Sequence, residues 1–284
     1  MITWLASYPK SGNTWLRCFL AAYVTGRLDI NHLSPFSHDD MSPPLWQLIS
    51  PKSLDRLNGH EAFALRGHFL LTLLSCNQGK VVIKTHSGVG MVNEFPTIPE
   101  ILTERAVYLV RDPRDVALSQ AHHLQISPEE VVKAMGDPSA IHTKGPGLYS
   151  AIGSWSQNAM GWATSKRFPV HVVKYEELCH APAETFRKIL EFLNFRMDEE
   201  RLTKAVELAS FANLAAQEKT KGFREAYQPE GHDRPVTFFR RGTIGLWRDE
   251  LEPDLVSRIE RDHGEAMEFF GYAVGVRSAE QSAA

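Results

Sequence analysis

Three short segments of this 284-residue chain hold side chains suited to gripping anions and moving protons. The first, YPKSGNTW (residues 8–15), stands between two apolar runs, MITWL and LRCFLAAY. Backbone N–H groups in a tight loop at a helix N-terminus are unpaired donors in a positive dipole field, so such a loop suits a phosphate-like anion. Lys10 adds a full charge, Ser11, Asn13 and Thr14 add polar side chains, and Gly12 admits close approach of the backbone. The second segment, KTHS (84–87), brings Lys84 and His86. An imidazole titrates near pH 6.5, which matches it to proton transfer around neutrality. The third, RDPRD (111–115), brings Arg111 and Arg114. Each segment alone also has an ordinary reading: a turn capped by Ser11 or Thr14, a solvated loop histidine, a surface charge cluster.

The elements around these segments give them a common address. Ile2–Ser7 reads as a buried strand, and residues 14–23 read as a helix with Leu16, Leu20 and Tyr23 on one face. Residues 80–86, 105–112 and 170–178 each begin as further strands. Helical patterns span 115–123, 150–166, 182–193, 198–208 and 253–270, the last with Pro253 in its first turn. Residues 26–60, 125–150 and 211–246 read as irregular, the second as a mobile segment. Strands alternating with helices predict an α/β fold, one domain over 1–284 with a central parallel sheet flanked by helices. Ligands of such sheets bind beyond the carboxyl ends of the strands, where all three segments fall.

Composition narrows the function. Acidic and basic residues nearly balance, with a formal charge of −3, so bulk-charge binding of nucleic acid is disfavoured. Cys18, Cys76 and Cys179 are scattered without a CxxC pair, which gives no support for a zinc site. No window reaches the ~18 apolar residues of a membrane span. The first strand starts at Ile2, so a cleaved leader would remove the loop, and a cytoplasmic location is expected. The loop also departs from G-x-x-x-x-G-K-[ST], because Lys10 precedes Gly12. Asp112 is followed by Pro113 and reads as a turn former rather than a magnesium ligand.

In five places, in order along the chain, the sequence resembles the sulfotransferases that use 3′-phosphoadenosine 5′-phosphosulfate (PAPS), in the cytosolic-type branch. YPKSGNTW resembles that family's YPKSGTTW loop, and KTHS its KTH segment. YLVRDPRDVALSQAHHL (108–124) resembles RNPKDVAVSYYHF. VVKYEEL (172–178) resembles the strand whose tyrosine lies near the adenine, and FFRRGTIGLWRDEL (238–251) resembles FMRKGxxGDWK. The resemblance implies a P-loop-NTPase-like sulfotransferase fold and PAPS as co-substrate, with no metal. It implies that Lys10, Ser11, Gly12, Asn13 and Thr14 hold the 5′-phosphosulfate and that Trp15 stacks on the adenine. It places Arg111 and Ser119 on the 3′-phosphate, with Arg240, Arg241 and Gly242 closing over it. Tyr175, and Ser210 with Phe211, fall near the base. His86 is the implied general base, helped by Lys10 and Lys84. Two departures stand out: Asn13 replaces a threonine, and Leu246 replaces the aspartate of GDW. The dimer signature KxxxTVxxxE is not evident in residues 252–284.

These residue types suit in-line sulfuryl transfer to a hydroxyl. A lysine aimed at the departing phosphate stabilises charge that grows only in the transition state, and a histidine takes the alcohol proton. The acceptor is expected to be a small molecule, lipid or sugar, bound by residues 27–60, 120–150 and 223–238. The rivals are a magnesium-ATP kinase of P-loop-like type and a catalytically silent nucleotide-binding module.

Overall fold

Alternation along the first strand builds both faces of the sheet. β1 (Ile2–Ser7) sends Ile2, Trp4 and Ala6 into one core and Leu5 into the other, as expected of a strand covered on both sides. In the computed structural model, residues 1–33, 36–143, 147–229, 231 and 233–275 are described. Expectations for residues 34–35, 144–146, 230, 232 and 276–284, which include parts of the acceptor segments and of the C-terminal stretch, lie outside the described residues.

The central sheet has five parallel strands in the order β2 (His38–Asp39), β3 (Val81–Thr85), β1, β6 (Thr103–Val110) and β9 (Val170–Lys174). Two small antiparallel pairs lie apart from it: β4 (Met91–Val92) with β5 (Phe95–Pro96), and β7 (Ile141–Thr143) with β8 (Tyr149–Ala151). Chain order runs outward from β1 in both directions, to β3 on one side and β6 on the other. A crevice therefore opens at the carboxyl end of β1, the place where doubly wound sheets take ligands.

Helices cover both faces. On one, α1 (Asn13–Thr25) packs with α8 (Pro182–Phe192) and α9 (Glu199–Leu208), and Phe19 stacks on Phe186 with centroids 3.7 Å apart. On the other lie α3 (Gly59–Cys76), α4 (Pro113–Leu124), α5 (Pro128–Met135), α6 (Trp155–Ala163) and α12 (Pro253–Phe269), with Phe69, Val116, Val131, Trp155 and Ile259 in one core. The shorter α2 (Pro43–Ile49), α7 (Tyr175–His180), α10 (Phe211–Lys221) and α11 (Trp247–Glu250) lie in the connections. No helix among the described residues is long and apolar enough to cross a membrane.

Local chemistry sets the helix ends. Asp112 caps α4 by accepting from the Arg114 N–H, and Pro113 occupies the first turn, where its missing N–H costs nothing. α3 and α5 open on reciprocal capping boxes, Asn58 with Glu61 and Ser127 with Glu130. Among the helices that the patterning did not single out are α3, α5 and α10, so residues 125–150 and 211–246 are more ordered than their composition implied. Residues 170–178 are also not one strand: β9 stops at Lys174, and Tyr175 lies in the first turn of α7.

Candidate active site

The loop after β1 is bent by two residues in the left-handed region, Lys10 at φ 66° and Gly12 at φ 100°. Gly12 is the N-cap of α1, and no side chain caps that helix. The first-turn N–H groups are thus left open to an outside acceptor. A Cβ on Gly12 would fall 2.7 Å from Cδ2 of Tyr175, so glycine is required by contact as well as by conformation. Asn13 turns inward: its amide donates to the Leu5 carbonyl at 2.9 Å and to Ser7 Oγ at 3.4 Å. Its backbone, not that side-chain N–H₂, is what remains for an anion. Lys10 Nζ sits 3.7 Å from the centre of the Phe238 ring. Burial, and then the neighbouring Arg111 cation, pull its pKa down to about 7, against the pull of Glu218.

His86 follows β3 directly and stands beside the end of β1. Its Nδ1 lies 2.8 Å from the Ser7 carbonyl oxygen. A carbonyl only accepts, so Nδ1 carries the proton and Nε2 keeps its lone pair. Burial, then Lys84 and His142, hold the imidazole well below its ordinary pKa, so it is neutral at pH 7. The segment is braced from beneath. Thr85 Oγ1 donates to Asp40 at 2.7 Å, Arg66 binds the same carboxylate at 2.8 Å, and Asn158 donates to the His86 carbonyl at 3.1 Å. Lys84 pairs with Asp39 at 3.2 Å.

Arg111 extends from the end of β6 and is buried. It donates to the carbonyls of Lys10 and Thr243, each at 3.2 Å, and its Nε has no partner. Arg114, three residues on, does different work. It is buried between Asp112 and Glu260, with its guanidinium 3.7 Å from the Trp247 ring centre. The surface charge cluster expected of this pair is therefore an interior network. Around the GLW segment, Asp115 accepts from the N–H groups of Gly245 and Trp247, at 2.6 and 3.1 Å.

One cavity of about 770 Å³ joins these parts, within the ~300–1,000 Å³ typical of small-molecule sites. Lys10, Gly12, Asn13, Thr14, Trp15, Lys84, His86, Arg111, Ser119, Tyr175, Phe211, Arg240, Arg241 and Gly242 all line it. Two predicted residues stand back from its wall. Ser11 is fully buried in the loop, and Ser210 caps α10 by accepting from the Asn213 N–H. Trp15 donates its indole N–H to the Ala209 carbonyl at 2.8 Å. Arg240 and Arg241 are half-exposed, and both face the Glu250 carboxylate. Residues 120, 122–124, 140–143 and 224–228 contribute walls, whereas no described residue of 27–60 does. That segment instead supplies Asp39 and Asp40, which hold the KTH strand from its far side.

Buried polar atoms without partners cluster here. Among the described residues they include Ser11 Oγ, Asn13 Oδ1, Arg111 Nε, Gln120 Oε1 and His123 Nδ1. An unsatisfied buried polar group costs about 1–3 kcal/mol, so their concentration around one cavity marks a polar ligand site. The charge that the sequence reading missed is Glu225, a cavity residue held by Arg17 at 2.8 Å. Nothing local marks it, because its partner lies 208 positions away.

A parallel sheet whose central strand leads into a cation-bearing, uncapped loop, with a neutral histidine alongside, is an arrangement suited to an anionic ligand. The chain belongs to the sulfotransferase domain family, whose model matches residues 2–271. It is 29% identical over 270 residues to cytosolic sulfotransferase 13 of Arabidopsis thaliana, covering 90% of this chain and 74% of that one. Cytosolic sulfotransferase 12 of the same plant is also 29% identical, over 265 residues, with 90% and 74% covered. Among solved structures, retinol dehydratase in complex with androsterone and the inactive cofactor PAP superimposes with a TM-score of 0.62 at 19% identity, covering 98% of this chain and 83% of that one. A mouse sulfotransferase complexed with PAP gives 0.58 at 18% identity, with 94% and 84% covered. At those identities the superpositions speak for the fold.

Proposed function

We propose that this protein transfers a sulfuryl group from PAPS to a hydroxyl acceptor. The observation that carries the reading is the meeting of Lys10, His86 and Arg111 on one cavity, into whose wall Arg111 brings a buried Nε without a partner. Those residues fit the nucleotide. The open first turn of α1, with Lys10, Gly12 and Thr14, would hold its 5′-phosphosulfate. Arg111 Nε, Ser119 and the Arg240–Arg241–Gly242 turn would hold its 3′-phosphate. That two fold neighbours carry PAP supports a nucleotide of this kind as the ligand. When bound, PAPS supplies the sulfuryl group and a phosphate leaving group.

The chain's own residues do the rest. His86 Nε2 takes the acceptor's hydroxyl proton, and the Ser7 carbonyl steadies the imidazolium through Nδ1–H. Lys10 stabilises the negative charge that appears at the departing phosphate oxygen, in a partly desolvated setting where its charge counts for more than in water. Phe238, Tyr227, Ile141 and Ile152 give the acceptor side apolar walls. A small hydroxylated molecule fits those walls. A cytoplasmic location accords with the cytosolic relatives.

Calorimetric titration tests the reading: adenosine 3′,5′-bisphosphate (PAP) in chelator should bind, and ATP with magnesium should not compete. Binding of ATP-magnesium alone would overturn it. Turnover of PAPS with a panel of phenols and alcohols separates an enzyme from a silent binding module.

A further inference from the structure

We infer that Glu225 selects the far end of the acceptor: its carboxylate takes a hydrogen-bond donor there, an ammonium or a second hydroxyl, and turns acids away. The inference deepens the sulfotransferase reading above and rests on it. Among the described residues the carboxylates that line the cavity are Asp115, Glu225 and Glu250. Asp115 is taken up by the Gly245 and Trp247 N–H groups, and Glu250 faces Arg240 and Arg241. Glu225 lies just beyond α10, in the wall segment that also presents Tyr227. Lys84, which neighbours His86, is among the charges that act on it. Its place is therefore on the acceptor side, where the hydroxyl is to react.

A negative charge in a cavity built for an anion works against the nucleotide, so it calls for another use. The charge is secured from behind. Arg17, on α1 and almost wholly buried, grips the two carboxylate oxygens at 2.8 and 2.9 Å, while its Nε donates to Ser37 Oγ at 3.0 Å. Burial pushes the Glu225 carboxyl up, but the charges of Arg17 and Lys84 outweigh it and hold the group below the ordinary carboxylate range, ionised at pH 7. An ionised carboxylate offers about four acceptor sites, and Arg17 uses two of them. The side chain is 26% exposed, so a ligand can reach it. An ammonium or hydroxyl placed there gains a charge-assisted hydrogen bond, and a carboxylate placed there meets like charge.

The test titrates four phenols of one size into the PAP complex by calorimetry: tyramine, its alcohol analogue tyrosol, para-ethylphenol and para-hydroxyphenylacetate. Tyramine, tyrosol or both should bind about three- to thirtyfold more tightly than para-ethylphenol, and the acid should bind most weakly. A lead for tyramine alone makes the donor an ammonium, and a lead for both makes it any N–H or O–H. In Glu225→Gln the lead of tyramine over para-ethylphenol should vanish and the handicap of the acid should shrink. A wild-type chain that binds para-ethylphenol as tightly as the other phenols overturns the inference, and so does a ranking that survives in Glu225→Gln. Parallel loss of PAP and of all four phenols in the variant would make Glu225 a brace for the fold alone, and overturns it too. Glu225→Gln leaves Arg17 buried without its counter-ion. Should that variant fail to fold by circular dichroism, Arg17→Met combined with Glu225→Gln removes both charges and must show the same loss of ranking. Binding of PAP with none of the phenols overturns the inference and leaves the nucleotide reading standing. Failure of the wild-type chain to bind PAP is a different result, which removes the nucleotide reading itself.

Discussion

The rim of the sheet and the segment from Thr237 to Trp247 face the same cavity but are built differently. On the rim, His86 and Arg111 follow the ends of β3 and β6 directly, Lys10 stands three residues past the end of β1, and each strand is locked by parallel partners. The later segment forms no helix or strand until Trp247 and is fastened at a few points. Gly242 rests against Phe211, where a Cβ would fall 2.4 Å from the ring, and Asp115 ties down Gly245 and Trp247. Arg240 and Arg241 remain half-exposed. Under the proposed function, the groups that need close placement are carried at or just past strand ends. On the same reading, the groups that would surround the charged end of the nucleotide are carried on the less regular strap.

Breaking the rim should therefore cost more than breaking the strap. His86→Ala should lower turnover by about 10² to 10⁴ while PAP affinity stays near wild type. Because the imidazole titrates below its ordinary value, the acid limb of kcat that it sets should lie below pH 6.5. A limb above that pH would assign the base elsewhere. Arg111→Ala should weaken PAP by about 1.5–3 kcal/mol, the range for a charged hydrogen bond, as read by calorimetry. On the strap, Arg241→Ala should cost about 1 kcal/mol or less, since that side chain is solvated and already paired with Glu250. An equal or larger loss than in Arg111→Ala would erase the distinction between the two regions.

The smallest effect is a proton. The pKa of Lys10 in the folded chain, about 7, lies below its ordinary 10.5. Between those values the unfolded chain holds a proton that the folded chain has shed, so ligand-free stability should rise with pH across that window. An anion at the loop favours the charged lysine. PAP binding at about pH 8 should therefore take up a proton, and affinity should fall as pH rises above about 7. Calorimetry in buffers of different ionisation enthalpy reads the uptake directly, and Lys10→Met should abolish it.

The strands that place the site were legible because they are short, apolar and β-branched, and each ends in charged residues. β1 spans the expected residues, and the rim motifs came with it. The helices α3 and α5 went unread although Asn58 with Glu61 and Ser127 with Glu130 spell capping boxes. Their flanks are rich in Pro, Gly and Ser, and that composition masked the local signal. Tyr175 was placed in a strand because VHVVKY is continuous in β-propensity. The strand ends where the chain must turn, with Lys174 donating to the Phe270 carbonyl. Asp39, Asp40, Glu225 and Arg17 were not legible at all. Their pairings are set by tertiary approach, and no spacing within the chain announces them.

The left-handed backbone of Lys10 has a consequence for variation. A non-glycine residue in that conformation costs about 1–2 kcal/mol. Glycine would relax the bend and discard the cation, whereas a branched cationless residue would fail on both counts. Arginine alone keeps the charge, but its longer, planar head would have to fit over the Phe238 ring where an ammonium now sits, beside the like charge of Arg111. Shape and charge thus narrow the alternatives at position 10, and mutational tolerance there should be low, as it should be at Gly12 two residues on.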